Sequence, residues 1–168
     1  ALVSSVARVR QPVLDALRAF HGLPHRMERL GEAKGVLFVN DSKATSVAAT
    51  EVALAGLGRP VVLIAGGDAK GQSFAPLRGA VDASCRAVLL IGRDAPDVAR
   101  GLAGATPPVE TVGTLDAAVA RALAVARAGD VVLLSPACAS LDQFANYEAR
   151  GERFRALVRE RAGGALRA

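Results

Sequence analysis

Four short apolar runs punctuate the chain: Val36 to Val39, Val61 to Ala65, Ala87 to Ile91 and Val131 to Leu134, all rich in Val, Leu and Ile. Runs of this length without polar alternation suit strands buried on both faces. Between them, apolar positions recur at helical spacing over Thr45 to Leu57, Ala95 to Leu102, Thr114 to Arg127 and Ser140 to Val158. Strand alternating with helix predicts βαβ crossovers, and with them an α/β domain whose mostly parallel sheet carries helices on both faces. A weaker strand is expected over Val109 to Val112, and Met27 to Leu30 is expected to pair antiparallel with Val36 to Val39, giving five or six strands. Ser140 and Gln143 form an S-x-x-Q capping box, which predicts a helix starting at Leu141. Val9, Val13, Leu14, Leu17 and Phe20 share one helical face before Gly22 and Pro24 break the pattern. Residues 1–22 are therefore expected to be a lead-in helix and hinge, and residues 23–168 the main domain.

A chain of 168 residues accommodates one such domain and excludes two independent enzymatic ones. Hydrophobic residues make up 51% and charged residues 22%, enough for a core and too little charge for a disordered chain. No apolar run approaches the ~18 residues of a membrane span, and the N-terminus alternates Val with Arg where a signal peptide would be apolar. A cytoplasmic monomer without membrane association is expected. Cys85 and Cys138 each lie in or beside apolar sequence, where reduced, buried thiols are expected, with no disulfide framework or metal site implied.

The net charge of +5 is unevenly placed. Residues 1–30 hold five basic against two acidic groups and residues 150–168 six against two, so the middle is slightly acidic. Aromatics amount to 4% with no tryptophan, which argues against a nucleic-acid face. Among 21 basic residues only Lys34, Lys43 and Lys70 are lysine. Where arginine is the default cation, a lysine suggests its own chemistry.

In a Rossmann-like sheet, ligands bind beyond the carboxyl ends of the strands. Three strand-end loops stand out. Asn40-Asp41-Ser42-Lys43-Ala44-Thr45 gathers more polar groups than a helix cap requires, and it sets a lysine against the positive end of a helix unless an anion intervenes. Ala65 to Gly71 contains paired glycines and Lys70, but matches neither a Walker A loop nor GxGxxG; a simple glycine-rich turn remains open. Ser135 to Phe144 ends in the capping box, whose free N–H groups also suit a carboxylate. Together Lys43, Thr45, Lys70 and Ser140 describe a receptor for a small dianion. Competing readings are a hydrolase using Cys138 with His25 or His21, a stand-alone anion-binding or regulatory module, and an interaction module built on the basic ends.

The strings NDSKAT at 40–45, GGDAKG at 66–71, SPACASLDQF at 135–144 and NYEARGERF at 146–154 closely resemble the C-terminal domain of the Mur ligase family, in its D-glutamate-adding branch. GLPHR at 22–26 resembles the hinge that precedes that domain, and the likeness covers about residues 20–160. Ser46, Ser73 and Tyr147 depart from the family's usual residues. The resemblance implies an ATP-dependent ligase of peptidoglycan synthesis that joins D-glutamate to UDP-MurNAc-L-alanine through an acyl phosphate. It implies that Lys43, Thr45, Lys70, Ser140, Leu141 and Tyr147 surround D-glutamate, with Lys43 at the catalytic centre, and that Arg26 and Asp41 serve ATP. It also implies that the phosphate-binding loop, the magnesium ligands and the UDP-binding domain belong to upstream domains, leaving this domain unable to catalyse alone.

Overall fold

The computed structural model describes residues 11–15 and 22–163. Residues 11–15 are helical, and the rest of the expected lead-in helix lies outside the described residues. The domain runs β1 (Glu28–Ala33), β2 (Val36–Asn40), α1 (Val47–Leu57), β3 (Val61–Gly66), α2 (Leu77–Ser84), β4 (Cys85–Ile91), α3 (Ala95–Gly101), β5 (Val109–Gly113), α4 (Leu115–Val125), β6 (Val131–Leu134) and α5 (Tyr147–Ala162).

The sheet has six strands in the order β1-β2-β6-β3-β4-β5. β1 pairs antiparallel with β2, as the Gly31 to Gly35 turn predicts, and the other pairs are parallel. Side chains alternate between the two faces, so each apolar run feeds two cores. Leu37, Val39, Leu63, Val88, Leu90 and Leu133 pack with α1, α2 and α3, whereas Phe38, Val62, Ile64, Leu89, Val132 and Leu134 pack with α4 and α5. The register aligns Asn40 with Leu134 and Gly66 with Ile91, so the carboxyl ends of β2, β6, β3 and β4 form one rim.

Three local expectations need correction. The capping box does not start a helix at Leu141: residues 141–146 form turns and α5 begins at Tyr147. Asn146 is the actual cap, accepting from the Ala149 N–H at 2.7 Å, while the Gln143 amide donates to Gly113 O at 2.8 Å instead of turning back to Ser140. α1 likewise starts two residues after Thr45, with Ser46 as its cap. The eight-residue helix α2 was not anticipated, because Leu77 and Val81 are its only buried positions and Gly79, Asp82 and Ser84 are weak helix formers.

Candidate functional site

The β2–α1 loop leaves the rim at β2 and is tied to neighbouring segments by buried polar groups. Asn40 is fully buried; its amide donates to Glu28 Oε2 at 3.1 Å and lies 3.0 Å from His25 Nδ1, while its oxygen accepts from the Ser42 N–H at 3.2 Å. Arg150, from α5, reaches under the same loop. Its guanidinium donates to Ser42 Oγ, Ser42 O, Cys138 O and Ala139 O at 2.9–3.2 Å, so one buried cation ties the β2 and β6 loops together. Burial lowers its pKa to about 10, and it stays charged at neutral pH.

Above this base, Lys43 Nζ sits 3.8 Å from the centroid of the Tyr147 ring. That cation–π contact answers the problem of a lysine near a helix N-terminus, because the ring face supplies negative potential without neutralising the ammonium. Tyr147 stands edge-on to His25, with centroids 6.1 Å apart, and the His25 carbonyl accepts from the Lys43 N–H at 3.0 Å. Hinge segment, strand-end loop and α5 thus converge on one lysine.

Arg26, Asp41 and Lys43 line one cleft of about 530 Å3 together with the apolar Met27, Ala49, Val52 and Ala53. Val52 is 74% exposed there, an apolar side chain left open to solvent. Asp41 is nearly buried: Oδ1 accepts from the Met27 N–H at 3.2 Å and Oδ2 from the Ser135 hydroxyl at 2.9 Å. Burial raises its pKa, against the hydrogen bonds from Ser135 and Met27 and the charge of Arg26.

Lys70 and the Ser140–Leu141 turn lie farther along the rim and are not on the wall of that cleft. Asp68 and Ala139 exchange backbone hydrogen bonds at 3.0 and 2.9 Å, joining the β3–α2 loop to the β6–α5 loop. Gly67 allows this approach, since a Cβ there would lie 2.2 Å from Ala139 O. Lys70 is exposed, Ser140 is buried, and Leu141 is 65% exposed. Thr45 is half-buried beside Ala44, whose carbonyl accepts from the Ala137 N–H. Gln72, which the sequence reading did not single out, bridges all three loops: its amide donates to Ala137 O and accepts from the Val47 N–H. A lone glutamine in a loop carries no local signal for such a role.

The hydrolase reading loses its nucleophile. Cys138 is fully buried and burial pushes its pKa to about 12, so a thiolate is not accessible near neutral pH. His21 lies outside the described residues. Among the described residues, no helix is long and apolar enough to cross a membrane.

Comparison with known proteins bears on the family and the fold. The family described as Mur ligase, glutamate ligase domain, matches residues 25–138. UDP-N-acetylmuramoylalanine--D-glutamate ligase of Nitrosospira multiformis is 49% identical over 98% of this chain, and the enzyme of that name from Chromobacterium violaceum is 55% identical over 86%. The chain spans about a third of the length of these curated relatives, 36% and 32% respectively. UDP-N-acetylmuramate-alanine ligase MurC from Thermotoga maritima shares the fold, with a TM-score of 0.65 at 15% identity over 95% of this chain and 35% of its own. On the family match and these relatives, the chain belongs to the Mur ligase family, of which it carries the glutamate ligase domain.

Proposed function

We propose that this chain is the C-terminal, D-glutamate-binding domain of a ligase that adds D-glutamate to UDP-MurNAc-L-alanine at the expense of ATP. The observation that carries the reading is the pair of lysines on the rim. Neither Lys43 nor Lys70 forms an ion pair with any described residue, so both charges are available to an anionic ligand. D-Glutamate offers two carboxylates and one amine. Two cations, the Thr45 and Ser140 hydroxyls and the backbone beside Leu141 would hold the carboxylates and leave the amine to face the acyl phosphate. Attack by the neutral amine on the acyl carbon forms the amide, releases phosphate and frees one proton. The contribution of this domain is orientation of that amine, with electrostatic screening of converging anions second.

Arg26 and Asp41 are proposed to serve the nucleotide. The cleft they line pairs a carboxylate suited to ribose hydroxyls with an apolar wall suited to a base. Both Asp41 oxygens already accept one hydrogen bond, and each keeps a lone pair for a hydroxyl. Magnesium is proposed to be held with the triphosphate by the upstream domains. The hinge expected within residues 1–22, most of which lie outside the described residues, would let this domain close on them.

Chemical-shift titration of the chain with D-glutamate tests the reading. Shifts are expected at 40–45, 66–71 and 138–147, with only millimolar affinity, about −4 kcal/mol, because the acyl-phosphate side is missing. Lys43→Ala and Lys70→Ala should each weaken binding by about 1.5–3 kcal/mol, the scale of a lost charge-assisted hydrogen bond. Lys34→Ala, at the opposite end of the sheet, should leave it unchanged. Shifts elsewhere, or equal sensitivity to all three substitutions, would remove the substrate-pocket reading.

A further inference from the structure

Where the β3–α2, β4–α3 and β6–α5 loops meet, the structure contains an arrangement that Lys43 and Lys70 do not themselves explain. Lys70 has a left-handed backbone, φ 50°, a conformation that costs a non-glycine residue about 1 kcal/mol or more unless its surroundings hold it. Two carboxylates do so. Asp68 Oδ1 accepts from the Lys70 N–H at 3.1 Å, and Asp94 Oδ2, from the neighbouring loop, accepts from the Ala69 N–H at 2.8 Å. Arg93 bridges the pair, with Nε 3.1 Å from Asp94 Oδ1 and Nη2 3.2 Å from Asp68 Oδ1. The Arg93 backbone N–H donates to Asp142 Oδ2 at 2.8 Å, one residue after Leu141. Gly92 shows how closely the loops approach: a Cβ there would lie 2.4 Å from Asp142 Oδ2 and 2.5 Å from Gly67 Cα.

We propose that Asp94, held by Arg93, is a positioning residue for D-glutamate, fixing the Lys70 segment and setting it against the Ser140–Leu141 turn. The proposal rests on the D-glutamate reading above and deepens it. Asp94 does not touch the substrate; it acts through Lys70. The Arg93 guanidinium and the Ala69 N–H hold its carboxyl below the usual carboxylate range, so it remains ionised at neutral pH. Arg93, shared between Asp94 and Asp68, screens part of that charge near an anionic ligand.

Steady-state kinetics of the full-length ligase carrying this chain decide the matter, using Asp94→Ala, Asp94→Asn, Lys70→Ala and the double variants. Asp94→Ala should raise KM for D-glutamate about tenfold while KM for ATP and kcat stay within about twofold. Asp94→Asn retains an oxygen for the Ala69 N–H and should fall between. The double variant Asp94→Ala/Lys70→Ala should be no worse than Lys70→Ala alone, because a residue acting through Lys70 has nothing left to position. If Lys70→Ala raises KM for D-glutamate and Asp94→Ala does not, the positioning role is wrong and the substrate reading stands. Multiplying effects in the double variant, or equal rises in both KM values with a lowered Tm, would also overturn it. An unchanged KM in Lys70→Ala would overturn the substrate reading and this proposal together. Should Asp94→Ala not fold, the Asp94→Asn and Lys70→Ala pair is read by the same criteria.

Discussion

The two ends of the sheet are built from similar residues and treat charge in opposite ways. At the amino end, Asp130 is 1% exposed and accepts from Arg86 Nε at 2.5 Å, Arg86 Nη2 at 2.9 Å and the Arg127 N–H at 2.8 Å. Arg59 closes the neighbouring turns by donating to Gly129 O, Gly35 O and Asp130 O. These cations are consumed within the fold. At the carboxyl end, Arg26, Lys43 and Lys70 form no ion pair with described residues, although carboxylates lie nearby. Backbone strain follows the same division: His25, Met27, Lys70 and Ala137 have left-handed φ angles at the carboxyl end, against Lys34 at the other. Unpaired cations and left-handed non-glycine backbone are thus concentrated at the carboxyl end, where the ligand is proposed to bind, although Arg93 is paired there and Lys34 is unpaired at the amino end.

A carboxyl end that leaves its lysines unpaired needs a structural floor separate from them, and Arg150 supplies it. Arg150→Ala leaves the carbonyls of Ser42 and Cys138 without a donor in a buried space, while Ala139 O keeps only the Asp68 N–H. A loss of about 3–5 kcal/mol is expected. For a domain of this size it should appear as a fall in Tm of about 10 °C. Arg150→Met, which fills the volume without donors, should lose most of the same stability. A fall of less than about 1 kcal/mol in either variant would mean the loops hold themselves.

A smaller loss is expected at the amino end. Asp130→Ala removes the acceptor of three hydrogen bonds but leaves Arg86 able to reach water, since its side chain is 29% exposed. About 2 kcal/mol of stability should disappear, with no change in D-glutamate binding by shift titration. Arg86 and the Arg127 N–H hold Asp130 below the usual carboxylate range despite its burial. Its contribution is therefore present at neutral pH and lost as pH falls through its lowered pKa, so wild type and Asp130→Ala should converge in strong acid. Weakened ligand binding in this variant would show that the two ends are coupled.

Much of this architecture was legible because it depends on local pattern. Continuous apolar runs identify β2, β3, β4 and β6, and the scarcity of lysine directs attention to Lys43 and Lys70. What escaped depends on contacts between distant residues. Arg150 meets Ser42 across 108 positions, and Gln72 reaches Ala137 across 65. Neither pairing leaves a periodic trace. The start of α5 was misplaced for a related reason: Asp142 and Gln143, both plausible first-turn residues, are drawn to Arg93 N and Gly113 O, and the cap passes to Asn146. Tyr147 came from family resemblance; its stacking beneath Lys43 required coordinates.

The smallest expected effect tests whether the carboxyl end gives up stability for function at a single atom pair. Asp41 resists ionisation because burial outweighs the hydrogen bonds from Ser135 and Met27. Its raised pKa means that any stability it contributes is fully present below the ordinary value of 3.8 and is lost as pH rises through the folded pKa. Asp41→Asn escapes that loss without breaking the network. The Asn oxygen can accept from the Met27 N–H, its amide can donate to Ser135 Oγ, and the Ser135 hydroxyl can turn to Thr50 Oγ1, 3.1 Å away. The variant should melt slightly higher than wild type at neutral pH, with the advantage vanishing below pH 3.8. If Asp41 meets the ribose as proposed, the variant should nevertheless raise KM for ATP more than KM for D-glutamate in the proposed full-length ligase, since an amide accepts hydroxyls less well than a carboxylate. A lower Tm at neutral pH would show that the charge itself supports the fold, and the reverse ranking of the two KM values would move Asp41 from the nucleotide to the amino acid.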